Sequence, residues 1–253
     1  MSRLKLIGLC VVAALAMGSL AVASAWAQPP EIGRCVSHAS GKYTNNVCTK
    51  LAKGKKVGSF EWESGAVKKK FSGTGGAGTL ETVNIAQVTC KTEVSHGEFT
   101  SPTTVGNVAV TFTGCESGGF KCATVGAKEG EIVTNPLAGT LVWEKYSKKV
   151  AIDLVPQATE LFAEFECGPA AAKVKGSVLT NIPANKMETK IEEKFTAKKG
   201  KQKPEYYYTS KTEKVKDVLM SKIGGPGAAY EQAGQTITNV QIDEEALEVN
   251  TVA

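Results

Sequence analysis

The chain reads as an all-β protein: a large antiparallel sandwich or barrel-like domain with an N-terminal disulfide knob and at most one or two short helices. Three observations predict this. Residues alternate at period two through the middle of the sequence, as in Val88, Cys90, Thr92 and Val94 or Val108, Val110 and Phe112, which puts each set on one side of a strand. Turn residues separate such runs at roughly ten-residue spacing, the rhythm of sandwiches and antiparallel barrels. Six cysteines follow an export leader, the mark of a crosslinked secreted framework.

The 253-residue sequence opens with Arg3 and Lys5, an uncharged apolar run from Leu6 to Leu20, and the small-x-small sites Ala23-Ser24-Ala25 and Ala25-Trp26-Ala27. This is a signal peptide over residues 1–27, its apolar run short for a spanning helix, which needs about 20 residues. Cys10 lies inside that run rather than at a cleavage point, which disfavours a lipoprotein. Residues 28–253 then form a single β-rich domain with no later membrane span. Within it, 28–64 are the disulfide knob and lead-in, 65–182 the core strands, and 183–253 a long hairpin and closing strands. A chain this long buries about 70% of its unfolded surface, so it has a core without crosslinks. The net charge of +5 includes Arg3 and Lys5 and is too small to imply nucleic acid. No Asn-x-Ser/Thr acceptor occurs.

Six cysteines allow about fifteen pairings, which local spacing narrows. Cys35–Cys48 would close VSHASGKYTNNV into a knob, and Cys115–Cys122 would pin the short turn ESGGF. That leaves Cys90–Cys167, with Cys167 on one strand face with Leu161, Ala163 and Phe165. A metal site is not indicated: C-x-x-C is absent, and the only histidines are His38 and His96.

In order, the knob leads into SFEWES, where Trp62 is the anchor. From Thr79 the strands are TLETV, AQVTCKTEV, GEFTS, NVAVTFTG, FKCATV, GEIVTN, LAGTLVWE, KVAIDLV, LFAEFEC and AKVKGSVLT, with turns such as Gly118-Gly119, Asn135-Pro136 and Gly168-Pro169 between them. Met187, Thr189, Ile191, Glu193 and Phe195 line one face of a long strand, which AKKGKQKP returns into Tyr206-Tyr207-Tyr208. Val215, Val218, Leu219 and Ile223 give helical spacing, with Ser210 and Glu213 as a capping box, so a short helix is the alternative there. QTITNV and EALEVNTVA close the chain.

GRCVSHASGKYTNNVC, QVTCKTE, VGNVAVTFTGCESGG, GEIVTNPLAGTL, AEFECG, KGKQKPE and EEALEVN together resemble a family of uncharacterised exported proteins of soil actinobacteria. The resemblance covers nearly all of residues 28–253. It implies an exported protein and brings no activity, ligand or catalytic residue.

The candidate chemistry is sparse. Gly73-Thr74-Gly75-Gly76-Ala77-Gly78 matches G-x-G-x-x-G, but a strand follows where a helix N-terminus is needed, so a flexible loop is expected. His38 and His96 have no nucleophile motif around them and read as surface turn residues. Glu164 and Glu166, two apart on one strand face, have the spacing glycoside hydrolysis uses, and water-facing carboxylates are the simpler reading. Asp243-Glu244-Glu245 lacks calcium-loop spacing and reads as a solvated acidic turn. Tyr206 and Tyr208 on one face, with Lys201 and Lys203 nearby, form the best candidate contact surface, and an ordinary hairpin whose lysines guard its edges and tip is the simpler reading. The expectation is an exported non-enzymatic protein, without cofactor, that binds or structures cell-wall polymer, a glycan or a protein. The alternatives are a glycan hydrolase using Glu164 and Glu166 and a small-molecule carrier with a barrel interior.

Overall fold

The structure, a computed structural model, describes residues 29–54, 56–225 and 227–251; the expected signal peptide lies outside them. Every regular element among the described residues is a strand. The all-β expectation holds, and the architecture is a barrel. The stretch with helical spacing forms strands Lys214–Lys216 and Leu219–Gly224 instead. A four-residue interval such as Leu219 to Ile223 is also a multiple of two, and pairing with Ala170–Gly176 selects the strand.

Eight strands close the main barrel. In ring order they are Lys70–Gly75, Thr92–Ser101, Thr104–Thr113, Leu137–Lys145, Lys149–Pro156, Val178–Ile182, Glu188–Lys198 and Glu231–Asn250, each antiparallel to the next and the last closing on the first. A second, smaller circuit shares the last strand. It runs through Gly78–Thr82, Gln87–Cys90, Glu116–Ser117, Phe120–Ala123, Leu161–Cys167, Ala170–Gly176 and Leu219–Gly224 back to the start of Glu231–Asn250. Residues 231–236 of that strand pair into the second ring and 237–247 into the main barrel. At about 3.3 Å per residue a strand of this length reaches past both, so the rings stack end to end along it. Beyond the main barrel, Glu31–Gly41 and Gly58–Ser64 form the knob, tied on by pairing of Glu31–Gly33 with Glu248–Asn250. Trp62 is its anchor: it lies so close over Gly33 that a Cβ there would meet the ring at 2.5 Å.

The disulfides are Cys35–Cys48, Cys90–Cys115 and Cys122–Cys167. The first matches expectation; the expected Cys90–Cys167 and Cys115–Cys122 pairs are replaced. Cys115 and Cys122 are hydrogen-bonded neighbours at the base of one hairpin, the Cys122 N–H donating to the Cys115 carbonyl. Their sulfurs nonetheless reach outward to the flanking strands, Cys122 to Cys167 directly opposite in register and Cys115 to Cys90 on the other side. The hairpin is thus stitched at both sides, where its ladders are shortest: one residue pair to Gln87–Cys90 and two to Leu161–Cys167. Three disulfides are consistent with an oxidising, extracellular location.

The chain passes between rings several times, and each passage resets which side faces in. Val88 is buried in the second ring, but the strand breaks at Lys91 and the next one belongs to the main barrel. Glu93 therefore points inward, and Val94, expected on the apolar face with Val88, is 52% exposed. The glycine run is another passage: Gly73 and Gly75 are strand residues, not the flexible loop expected.

Candidate functional site

Two regions could carry function: a lysine–tyrosine strip outside the main barrel and the barrel lumen. Glu188–Lys198 turns back at Lys199-Gly200 into the three-residue strand Lys201–Lys203, shorter than the long hairpin expected. After a cis Lys203–Pro204 bond the chain enters Tyr206–Tyr208, which pairs with Lys214–Lys216 and meets the barrel strand at Trp143, opposite Tyr208. Tyr206 and Tyr208 share a face, as expected, and the Lys214 ammonium sits 3.8 Å over the Tyr206 ring and 6.0 Å from that of Tyr208. Lys203 pairs with Glu205, whose carboxyl it holds below the usual range with help from Lys201 and Lys216. The structure thus brings Tyr206, Tyr208, Lys201 and Lys203 into one neighbourhood and adds Lys214 and Lys216.

Beneath the strip lie two acids, Asp217 buried and Asp153 half-buried. The Gln202 amide donates to Asp217 Oδ2 at 2.7 Å, and the Ser177 hydroxyl donates to Asp217 Oδ1. Burial, then the charge of Asp153, pushes the Asp217 carboxyl up to about 7; burial alone pushes Asp153 to about 6. Burial and both carboxylates also raise the Tyr207 phenol.

Glu164 and Glu166 project outward from Leu161–Cys167 and are exposed, with Glu164 paired to Lys173 at 2.6 Å. They face the solvent side of the sheet and border neither lumen, so no cleft gathers them around a sugar.

The main-barrel lumen was not legible as a site. Its wall is divided. On one side Val105, Val108, Leu137, Ile152 and Leu154 are apolar. On the other, four adjacent strands present one cross-strand row, Glu193–Asn239–Gly75–Glu93, with Gln241, Gly73 and Ser95 in the row beside it. The glycines make this row possible. A Cβ on Gly75 would lie 2.5 Å from Glu93 Oε2, and one on Gly73 would lie 2.3 Å from Ser95 Oγ and 2.8 Å from Asn239 Nδ2. Asn239 Nδ2 donates to Glu193 Oε2 at 2.9 Å, and Gln241 Nε2 donates to Asp243 Oδ1 at 2.7 Å. Asp243 is therefore a buried lumen residue, not part of the solvated turn expected. Glu244 is exposed, and Glu245 pairs with Arg34 at 3.1 Å while accepting the Val67 and Lys68 N–H groups.

Electrostatically the lumen is one-sided. Burial, and then the neighbouring Glu93 and Asp243, pushes the Glu193 carboxyl up to about 7, against the Asn239 hydrogen bond. Burial raises Glu93 as well, pushes Asp243 to about 6 and pushes Glu248, near the knob end, to about 7. The polar wall encloses a cavity of about 70 Å³, a smaller one of about 20 Å³ lies toward the knob, and an apolar cavity of about 70 Å³ fills the second ring. The only sequence signal for the wall was Glu193 in register with Ile191 and Phe195 on an inward face. The chain matches no protein-family model, no curated protein and no solved structure.

Proposed function

We propose that this is an exported, non-enzymatic protein that binds an anionic polymer of the cell envelope through the lysine–tyrosine strip. The carrying observation is the concentration of charge. Residues 198–216 hold seven lysines against Glu205 and Glu213, a net charge equal to the +5 of the whole chain. All but Lys201, which is half-buried, are exposed, and all sit on hairpins laid over a rigid barrel. A polyanion releases counterions on meeting such a strip, and Tyr206, the one exposed tyrosine of the three, adds contact area for sugar units, while Tyr208 is half-buried against the core. The disulfides and the export leader support a location outside the cytoplasm, in keeping with the exported family the sequence resembles.

Cosedimentation with purified cell wall tests this. Binding should weaken with salt, and Lys201→Glu with Lys203→Glu and Lys214→Glu should lower it at least tenfold, Tyr206→Ala by less. If the wild type stays in the supernatant, or the triple variant binds equally well, the reading fails.

A further inference from the structure

The lumen has a chemical imbalance that the fold leaves uncompensated. The orphaned polar atoms bordering its two cavities are all acceptors: Asn239 Oδ1, Asp243 Oδ2 and both oxygens of Glu248. Asn239 is 5% exposed, Asp243 4% and Glu248 1%, so bulk water does not serve them. No lysine, arginine or histidine among the described residues borders either cavity, although Glu93, Glu193, Asp243 and Glu248 do. Isolated buried carboxyls and unpaired acceptors are unfavourable by several kcal/mol, so a cationic donor is the missing complement. No three such side chains converge as metal ligands among the described residues. The acceptors instead form two levels. Glu93, Glu193 and Asn239 share one row, and Asp243 stands four residues further along its strand, about 13 Å before the side chains reach inward. Between the levels, Val105 and Ile152 border both cavities and offer an apolar track on one side, facing Glu193 and Gln241, which also border both.

We propose that the main-barrel lumen binds a linear aliphatic diamine, one ammonium on Glu93 and Glu193, the other on Asp243 and Glu248, with its methylenes against Val105 and Ile152. The structure also supplies a way in. The ladder between Val178–Ile182 and Glu188–Lys198 has a single registered pair, Asn181 with Lys194, and an outer cleft lies over that seam. Ile182 borders both the outer cleft and the inner cavity, so its side chain separates solvent from lumen and serves as the gate. This site is independent of the lysine strip.

The probe is 1,4-diaminobutane, titrated calorimetrically into the purified full-length mature protein at about pH 6.5, below the values to which burial raises Glu193 and Glu248, in two buffers of different ionisation enthalpy. One equivalent should bind with proton release, because an ammonium beside carboxyls that burial keeps partly protonated draws their protons off. 1,4-Butanediol, similar in length but uncharged, should not bind. Glu193→Gln, shown folded by its thermal transition, should weaken binding at least tenfold, while Lys201→Glu should leave it unchanged. No binding by the wild type, equal binding of the diol, or an unaffected Glu193→Gln variant overturns the proposal.

Discussion

The main barrel and the second ring share a strand and a hydrophobic core, yet they are closed by different forces. In the main barrel most neighbouring strands are joined by long ladders, such as the eight registered pairs between Thr92–Ser101 and Thr104–Thr113. No disulfide crosses it, and it tolerates a buried row of acids and amides. The second ring has ladders of one or two pairs on either side of the Cys115–Cys122 hairpin, an apolar lumen, and two disulfides at those weak seams. In the second ring covalent closure is placed where backbone closure is thin; the main barrel keeps its polar lumen without a crosslink, even at its own one-pair seam between Val178–Ile182 and Glu188–Lys198.

The largest expected effect breaks the second ring. Loop-closure arguments give about 4 kcal/mol for Cys122–Cys167 and about 3.5 for Cys90–Cys115, whose partners are 45 and 25 residues apart. Cys122→Ser with Cys167→Ser should lower stability by about 4 kcal/mol in denaturant titration. On mild reduction, amide exchange should rise in Gln87–Cys90 and Phe120–Ala123 well before Thr92–Ser101. Simultaneous loss of protection in both rings would show that they open as one unit.

A smaller effect targets the main barrel. Gly75→Ala drives a methyl into Glu93 and toward Ile237 and should destabilise by about 2–3 kcal/mol. Gly76→Ala, one residue on, meets nothing within 4 Å and should be neutral. Thermal melts of the pair separate crowding in the polar row from a general intolerance of the glycine run.

The acids make a pH prediction whose sign is fixed. Glu193 is raised in the folded state to about 7, so the native protein holds a proton that the unfolded chain releases near its ordinary value. Its contribution is fully present below that ordinary value and is lost as pH rises through about 7. Asp217, Glu248, Asp153 and Asp243 act in the same direction. Melts should therefore fall between pH 5 and pH 8, and Glu193→Gln should flatten the fall by on the order of 2 kcal/mol. A flat wild-type profile would contradict the picture of acids buried without positive partners.

The smallest effect concerns the second ring's outer tip. Ile85 is 91% exposed with φ of 65°, a left-handed conformation that β-branched residues disfavour. Ile85→Asn should stabilise by about 0.5–1 kcal/mol, read as a small rise in Tm.

Much of this architecture could be read from the residues. The alternation in LFAEFEC and LAGTLVWE placed Phe165, Cys167, Leu141 and Trp143 on buried faces, and all four are buried. The tyrosine–lysine strip was also visible, because charge and aromatic density are local properties. The lumen was not. Glu93 lies in QVTCKTEV, where a continuous alternation would turn it outward; only the passage between rings at Lys91 reverses its direction. Asn239, Gln241 and Asp243 alternate as regularly as valines would, but polar residues at period two signal a strand's solvent face unless the opposite wall is known.

The sequence by itself determined that the chain is all-β, that its inward and outward residues alternate, that its cysteines crosslink it, and where its charge is concentrated. These follow from side-chain period, turn chemistry and composition, each set by residues a few positions apart. Tertiary structure alone decided which cysteine meets which, that one strand serves two rings, and that a row of acids faces inward. Those outcomes depend on which strands become neighbours. Registers such as Gly75 with Asn239 and Glu93 join positions up to 164 residues apart, and no local pattern encodes them.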